Sequence, residues 1–334
     1  MTNGERNQGW VLARRPKGQV VPEDFRLEST ELPAIGDGEV LVRNHYLSLD
    51  PYMRGRMDDA KSYAASQPLD KVMGGGTVGE VVQSRSSRLK VGDKVVGMGG
   101  WQSYSAGADR DFKPIDTTRV PIQAYLGVVG MPGVTAWHGL NEIIAPKAGE
   151  TVVVSAASGA VGATVGQLAK LKGCRVVGVA GGAEKCRAVV EEFGFDACVD
   201  YKAGNLDKDL KAALPDGVDG YFENVGGAVL DAVLKRFNAF GRIAICGLIA
   251  GYAGESIPVH QFRSVLVNRL KLQGFIVSEH PASWPKALAE LGELVGSGRM
   301  KYRETVSQGL DSAPEAFIGL LTGRNFGKQL VKLV

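Results

Sequence analysis

Two hydrophobic rhythms divide the chain. Over roughly the first 120 residues, short alternating runs such as EVLVRNHYLSLD, GTVGEVVQS and VGDKVVGM are separated by closely spaced Gly and Pro. Alternation of period two with frequent turn residues predicts β-strands and a small, irregular, barrel-like domain. Gly92-Asp93 supplies the turn before one of these strands. From about Gly127 the rhythm changes. PGVTAWHGLNEII has helical spacing, and TVVVSAA is an all-apolar run suited to a strand buried on both faces. GAVGATVGQLAKLKG reads as a helix closed by Gly173, CRVVGVA as a strand, and AEKCRAVVEEFG as a helix closed by Gly194. ACVDY, VDGYFENV, GRIAICGL and LKLQGFIV predict further strands with helices between them. Strand and helix in alternation predict a doubly wound parallel sheet. The tail (KYRETVSQGL, the helix APEAFIGLLTG, the strand KQLVKLV) returns to mixed character and is expected to complete the first domain. The predicted division is 1–126 with 299–334 against 127–298.

Composition adds mainly exclusions. Of 334 residues, 44% are hydrophobic and 22% charged, an ordinary globular mixture. The formal charge of +3 is small and dispersed, with no Lys/Arg block longer than a pair, so nucleic acid is not an expected partner. The start MTNGERNQGWVLARRPKGQ lacks the apolar core of a signal peptide, and no run reaches membrane-spanning length. The expected location is cytoplasmic. Cys174, Cys186, Cys198 and Cys246 include no C-x-x-C pair, and His45, His138, His260 and His280 are scattered. Neither a disulfide framework nor a cysteine-rich zinc lobe is expected.

The chemistry begins at Ala157–Gly162, which fits A-x-G-x-x-G between a buried-type strand and a helix. In that setting Gly159 lets backbone approach a pyrophosphate, and Gly162 lets the helix pack on the strand. The free N–H groups of Ala160, Val161 and their neighbours face the phosphates. The next strand ends Val179-Ala180-Gly181-Gly182, without the acid that binds a ribose 2′-OH, and Lys185 follows. A lysine suits a 2′-phosphate, and the hydroxyl of Tyr201 could add to it. NADPH is therefore the expected cofactor.

A catalytic zinc would need Cys, His or Glu ligands in the first domain. That region holds His45 alone among Cys and His, and Gly74-Gly75-Gly76-Thr77 fills the stretch where a ligand is expected. No metal is expected. Tyr252, in the loop after RIAICGL, is the candidate proton donor or a residue that packs on the cofactor. Tyr52 and Tyr63 are candidates for lining a substrate pocket, and Asn224 for bonding cofactor or substrate.

The stretches YLSLDPYMRGRM, GGGTVGEVV, GMPGVTAWHGL, AASGAVGATVGQLAKLKGC, GFDACVDYK, FENVGG, GRIAICGLIAGY and NFGKQLVK run nearly end to end. In that order they resemble the zinc-independent medium-chain dehydrogenase/reductases. The branch is that of leukotriene 12-hydroxydehydrogenase/prostaglandin reductases, alkenal double-bond reductases and bacterial NADPH-dependent curcumin reductases, most similar to the last. The resemblance implies a GroES-like domain plus a Rossmann domain, paired as a homodimer through the Rossmann sheets. It implies NADPH-dependent reduction of the C=C bond of α,β-unsaturated aldehydes or ketones, with hydride to the β-carbon and a proton to the α-carbon. Implied cofactor contacts are Gly159–Gly162, Lys185, Tyr201, Asn224, the loop Cys246-Gly247-Leu248 to Tyr252, Phe275-Ile276-Val277 and Asn325, with Met131 and Thr135 near the nicotinamide. Gly181-Gly182 carries no Ser or Arg to share the 2′-phosphate with Lys185.

Overall fold

The computed structural model describes residues 5–334; the first four residues of the start segment read above lie outside it. The chain forms two compact units, one running to Gly127 and resuming at Glu304–Val334, the other Val128–Arg303.

The first unit opens with β1 (Arg6–Leu12) and β2 (Phe25–Glu31), an antiparallel pair. Then follow β3 (Glu39–Ser48), α1 (Tyr52–Arg56), β4 (Thr77–Ser84), β5 (Lys94–Gly97), β6 (Tyr104–Ala108) and the short β7 (Lys113–Pro114). Gly92, at φ +96°, makes the turn into β5. Apolar residues alternate to one side and meet in a core built on Leu47, Met53, Trp101 and Phe317. Trp101 stacks on Phe25 at 5.3 Å and meets Phe317 edge-on at 5.4 Å.

The second unit alternates as predicted. After α2 (Met131–His138), which widens into a π-type turn over Gly139–Ile144, come β8 (Thr151–Ser155), α3 (Ala160–Leu171) and β9 (Arg175–Ala180). The run continues with α4 (Ala183–Glu191), β10 (Ala197–Asp200), α5 (Leu206–Ala213), β11 (Val218–Glu223) and α6 (Gly227–Leu234). It closes with β12 (Phe237–Ile245), α7 (Arg263–Val267), β13 (Lys271–Gly274) and α8 (Ser283–Gly296). The six strands are all parallel, in the order β10-β9-β8-β11-β12-β13. The order reverses between β8 and β11, so the crevice of this Rossmann sheet lies at their C-terminal ends. All five residues of β8 are buried, with Val152–Val154 as the apolar centre and Thr151 and Ser155 as buried polar ends.

The strand expected over LKLQGFIV stops at Gly274, because Phe275 and Val277 turn inward to the core instead of continuing the ladder. The chain also stays with this unit as far as Arg303. Gln167 donates to Lys301 O and accepts the Lys301 N–H, both at 2.8 Å, and Arg303 pairs with Glu192.

The tail then supplies β14 (Glu304–Gln308), α9 (Ala313–Leu321) and β15 (Lys328–Lys332) to the first unit. β15 pairs with β3 and brings Lys328 onto Asp50 at 2.8 Å and onto Leu49 O at 2.6 Å. Both charged groups of that pair are buried, and Ser48 also donates to Asp50. Among the described residues no helix is long and apolar enough to cross a membrane.

Candidate dinucleotide and active site

The crevice begins where β8 ends. The chain turns at Ala156, whose φ of +49° is left-handed, and Gly159 starts α3 with no side chain capping it. The first bond of the helix runs from Ala163 N to Gly159 O at 2.9 Å, so the N–H groups of Ala160, Val161 and Gly162 precede the intrahelical ladder. These donors and the positive end of the helix are suited to a phosphate. Gly162 is pressed against the turn: a Cβ there would lie 2.4 Å from Ala156 O and 2.9 Å from Ala157 Cα. A Cβ on Gly159 would come no closer than 3.2 Å to the same carbonyl. The two glycines therefore do different jobs, close packing at Gly162 and an open approach at Gly159.

A second cluster forms at the tips of β9 and β10. The Tyr201 ring lies over Gly181, where a Cβ would be 2.8–2.9 Å from ring atoms and hydroxyl. Lys185 sits half-buried in the first turn and a half of α4. Burial holds its ammonium below the usual lysine range, and the charge of Lys202 lowers it further. Lys202, not singled out in the sequence, is thus electrostatically coupled to Lys185, and its Nζ lies 5.9 Å from the Tyr201 ring centroid. The only signal for it was its place beside Tyr201.

An acid is present here after all. Asp200 ends β10 directly opposite Ala180 of β9 and accepts the N–H groups of Gly182 at 2.7 Å and Lys202 at 2.9 Å. Both backbone donors meet the same oxygen, Oδ1, which thereby shapes the turn.

The ends of β11 and β12 are tied through Glu223. Its carboxylate, 0% exposed, accepts from Ser155 Oγ at 2.8 Å, Tyr221 OH at 2.8 Å and Val225 N at 2.5 Å. Its carbonyl accepts the N–H groups of Cys246 at 2.9 Å and Gly247 at 3.2 Å. Asn224 donates its backbone N–H to Ser155 Oγ and its side-chain amide to Ser155 O, each at 2.8 Å. Part of Asn224 is therefore committed to positioning β8 against β11. The Cys246 thiol is pushed up to about 12 by burial and then by Glu223, which makes it a poor nucleophile. Tyr252 closes a helical turn after Leu248, and its hydroxyl folds back to within 3.5 Å of Leu248 N.

Other predicted residues fall in less direct places. Thr135 is buried and donates to Met131 O at 2.8 Å, inside α2. The side chains of Phe275 and Val277 enter the core, Phe275 meeting Phe222 edge-on at 6.2 Å, which leaves Ile276 half-buried between them. In the first unit, Tyr52 is half-buried at the start of α1 and packs on the Trp101 core, while Tyr63 is 58% exposed in the segment before β4. Burial, then Asp50, raises the Tyr52 phenol above its usual range. Asn325 donates to Gly327 O at 2.8 Å in the turn before β15. Among the described residues no group of three or more His, Cys, Asp or Glu is placed to hold a metal ion.

Comparison with known proteins agrees with this architecture. The family model described as "N-terminal domain of oxidoreductase" matches residues 8–115, and that described as "Zinc-binding dehydrogenase" matches residues 160–293. The NADPH-dependent curcumin reductase of Escherichia coli (strain K12) is 48% identical over 336 residues, covering 98% of this chain and 97% of that protein. The NADP(+)-dependent 2-alkenal reductase of Nicotiana tabacum is 45% identical, covering 89% and 88%. The crystal structure of CurA from Vibrio vulnificus in complex with NADPH superposes with a TM-score of 0.94 at 45% identity, covering 98% of this chain and 99% of that one. A match of this depth along both units leaves one conclusion: the chain belongs to the medium-chain dehydrogenase/reductase family of oxidoreductases, in the group of curcumin, 2-alkenal and prostaglandin reductases.

Proposed function

We propose that this chain reduces the C=C bond of α,β-unsaturated aldehydes and ketones with NADPH, delivering hydride to the β-carbon and a proton to the α-carbon. The reading rests above all on the near full-length similarity to the curcumin reductase of Escherichia coli. The residues present fit the cofactor. The uncapped start of α3 at Gly159–Gly162 would hold the pyrophosphate. Lys185, Lys202 and Tyr201, around a strand tip with no side chain of its own, would take the 2′-phosphate. Asn224, Cys246–Leu248 and Tyr252 would line the ribose and nicotinamide end, with Met131, Thr135 and Ile276 of the same unit contributing around it. Bound NADPH supplies the hydride. Tyr52 and Tyr63 are the proposed substrate-side aromatics.

The test is a panel of enals, enones, quinones and saturated alcohols, each run with both reduced or both oxidised nicotinamide cofactors. NADPH consumption with enals and enones, weaker use of NADH, and no oxidation of saturated alcohols are expected. Consumption with quinones alone would replace the reading by a quinone reductase, and no turnover with retained NADPH binding would make the chain a non-catalytic binding protein.

Tyr252 is the proposed proton source, since its hydroxyl stands over the Gly247–Leu248 backbone at the sheet's C-terminal edge. Tyr252→Phe keeps the ring and removes the proton. It is expected to lower kcat by about 10²-fold, a usual share for one positioned acid, while changing NADPH affinity little. An unchanged kcat would leave the proton to water or a ribose hydroxyl.

The chain is further proposed to be a homodimer through β13, the edge strand of the six-stranded sheet. An open edge presents unpaired backbone groups, and Phe262 and Leu266 nearby in sequence are 61% and 80% exposed. Light scattering at micromolar concentration is expected to report twice 35.4 kDa, and a monomer mass would reject it.

A further inference from the structure

Two thiols meet beneath the Lys185–Tyr201–Lys202 cluster. Cys198 on β10 lies opposite Gly178 of β9, and paired residues of neighbouring strands point to the same face. That face carries α4, since a Cβ on Gly178 would sit 2.9 Å from Val189 of that helix. Over Gly178 that face is closed by Ala157, Val189 and Phe195, so α4 packs directly on the strands, and Cys186, three residues before Val189, shares its inward face. The Cys186 thiol reaches Ala180 O at 3.9 Å, and Cys198 is hydrogen-bonded to Cys186. Both thiols are free and partly exposed. Cys186 directly follows Lys185, and its N–H anchors to Gly182 O at 3.1 Å. Asp200, two residues beyond Cys198, holds the Gly182 and Lys202 N–H groups. The pair thus joins the two elements that carry the lysines.

We propose that Cys186 and Cys198 are a peroxide-reactive dithiol whose closure to a disulfide weakens NADPH binding. The hydrogen bond from Cys198 holds the Cys186 thiol below its usual range and raises Cys198, so Cys186 is the attacking sulfur. Its thiolate attacks one oxygen of hydrogen peroxide, the O–O bond breaks, and hydroxide leaves, giving a Cys186 sulfenic acid. The Cys198 sulfur then attacks the sulfenic sulfur, and the S–O bond breaks with loss of water. Two thiols are oxidised by two electrons, and one peroxide becomes two waters. The bond draws the sulfurs to about 2.0 Å, and the first turns of α4, with Lys185, move with Cys186. The effect on the cofactor rests on the NADPH reading above; the bond does not.

The experiment treats the whole purified chain with hydrogen peroxide, blocks remaining thiols, and digests it without reductant for mass spectrometry. A peptide pair linking Cys186 to Cys198 is expected, two hydrogens lighter than the reduced pair and separated by dithiothreitol, with Cys174 and Cys246 recovered blocked. NADPH affinity, read by fluorescence titration without any acceptor, is expected to fall about 10-fold on oxidation and to return on reduction. Cys186→Ser is expected to form no link and to bind NADPH equally with and without peroxide. Absence of the linked pair overturns the dithiol, and a linked pair with unchanged NADPH affinity overturns the coupling. NADPH failing to bind the reduced chain would overturn the cofactor reading and the coupling together, leaving the linked pair to decide the dithiol alone.

Discussion

Gly162→Ala is expected to weaken NADPH binding by about 100-fold, the scale on which a displacement of an ångström in a binding geometry acts. The added methyl would meet Ala156 O at 2.4 Å, Ala157 Cα at 2.9 Å and Ala156 C at 3.0 Å, all backbone atoms of the turn. None is the end of a flexible side chain, so α3 must move away from the end of β8. Overpacking of this kind costs about 1–3 kcal/mol, or a fall in Tm of roughly 2–10 °C for a unit of this size. The loss of binding is expected to exceed what the loss of stability explains, because the N–H groups of Ala160–Gly162 move with the helix. Gly159→Ala separates the two roles. Its methyl reaches 3.2 Å from the same carbonyl, a contact relieved by a few tenths of an ångström, so little change in Tm is expected, whereas NADPH binding falls because the methyl fills the open approach. Fluorescence titration with NADPH and thermal melts of both variants make the check. Normal NADPH binding by folded Gly162→Ala would mean that the pyrophosphate does not sit at this turn.

Glu223→Leu is expected to destabilise the second unit by roughly 3–5 kcal/mol, the cost of breaking a buried charged network. It leaves the Ser155 and Tyr221 hydroxyls and the Val225 N–H without the acceptor they share. Each stranded buried donor costs about 1–3 kcal/mol, partly relieved by rearrangement. A fall in Tm of about 10 °C is the corresponding measurement. Glu223→Gln keeps the shape and separates charge from packing. Burial holds the Glu223 carboxyl above the usual glutamate range, although four neighbouring donors oppose the shift. A carboxyl raised in the folded state binds more protons there than in the unfolded chain. Its contribution to stability is therefore fully present below the ordinary glutamate value and declines as pH rises through the raised one. Melts of the parent chain across that window should show this decline, and those of Glu223→Gln should lack it. Equal slopes would mean that Glu223 titrates normally. Because the Glu223 carbonyl and Ser155 also hold Cys246, Gly247 and Asn224, Glu223→Gln is expected to raise the NADPH KM more than it lowers kcat.

Much of the fold was legible because it is written at short range. The apolar run Val152–Val154 within β8 means a strand with two covered faces, and positive-φ glycines at Gly173 and Gly194 stop the two helices that follow. Alternating strand and helix leaves a parallel sheet as the natural arrangement. The Gly159–Gly162 turn was legible for the same reason, since its physics is contained in one strand-to-helix connection. LKLQGFIV misled beyond Gly274 because inward-facing Phe275 and Val277 have the same alternation as a strand.

What the sequence alone determined, then, was the order of elements, the glycine turn at the crevice, and the resemblance that named the family. The tertiary structure decided what stands beside what. The acid looked for at the tip of β9 arrives from the tip of β10, because parallel pairing sets Asp200 opposite Ala180. Lys202 joins Lys185, Cys198 meets Cys186, and Glu223 gathers donors from β8 and β11 by the same cross-strand logic. The reason is one of range: periodicity records which face a residue turns to, whereas a site is built from residues that share an edge after the sheet has brought distant segments together.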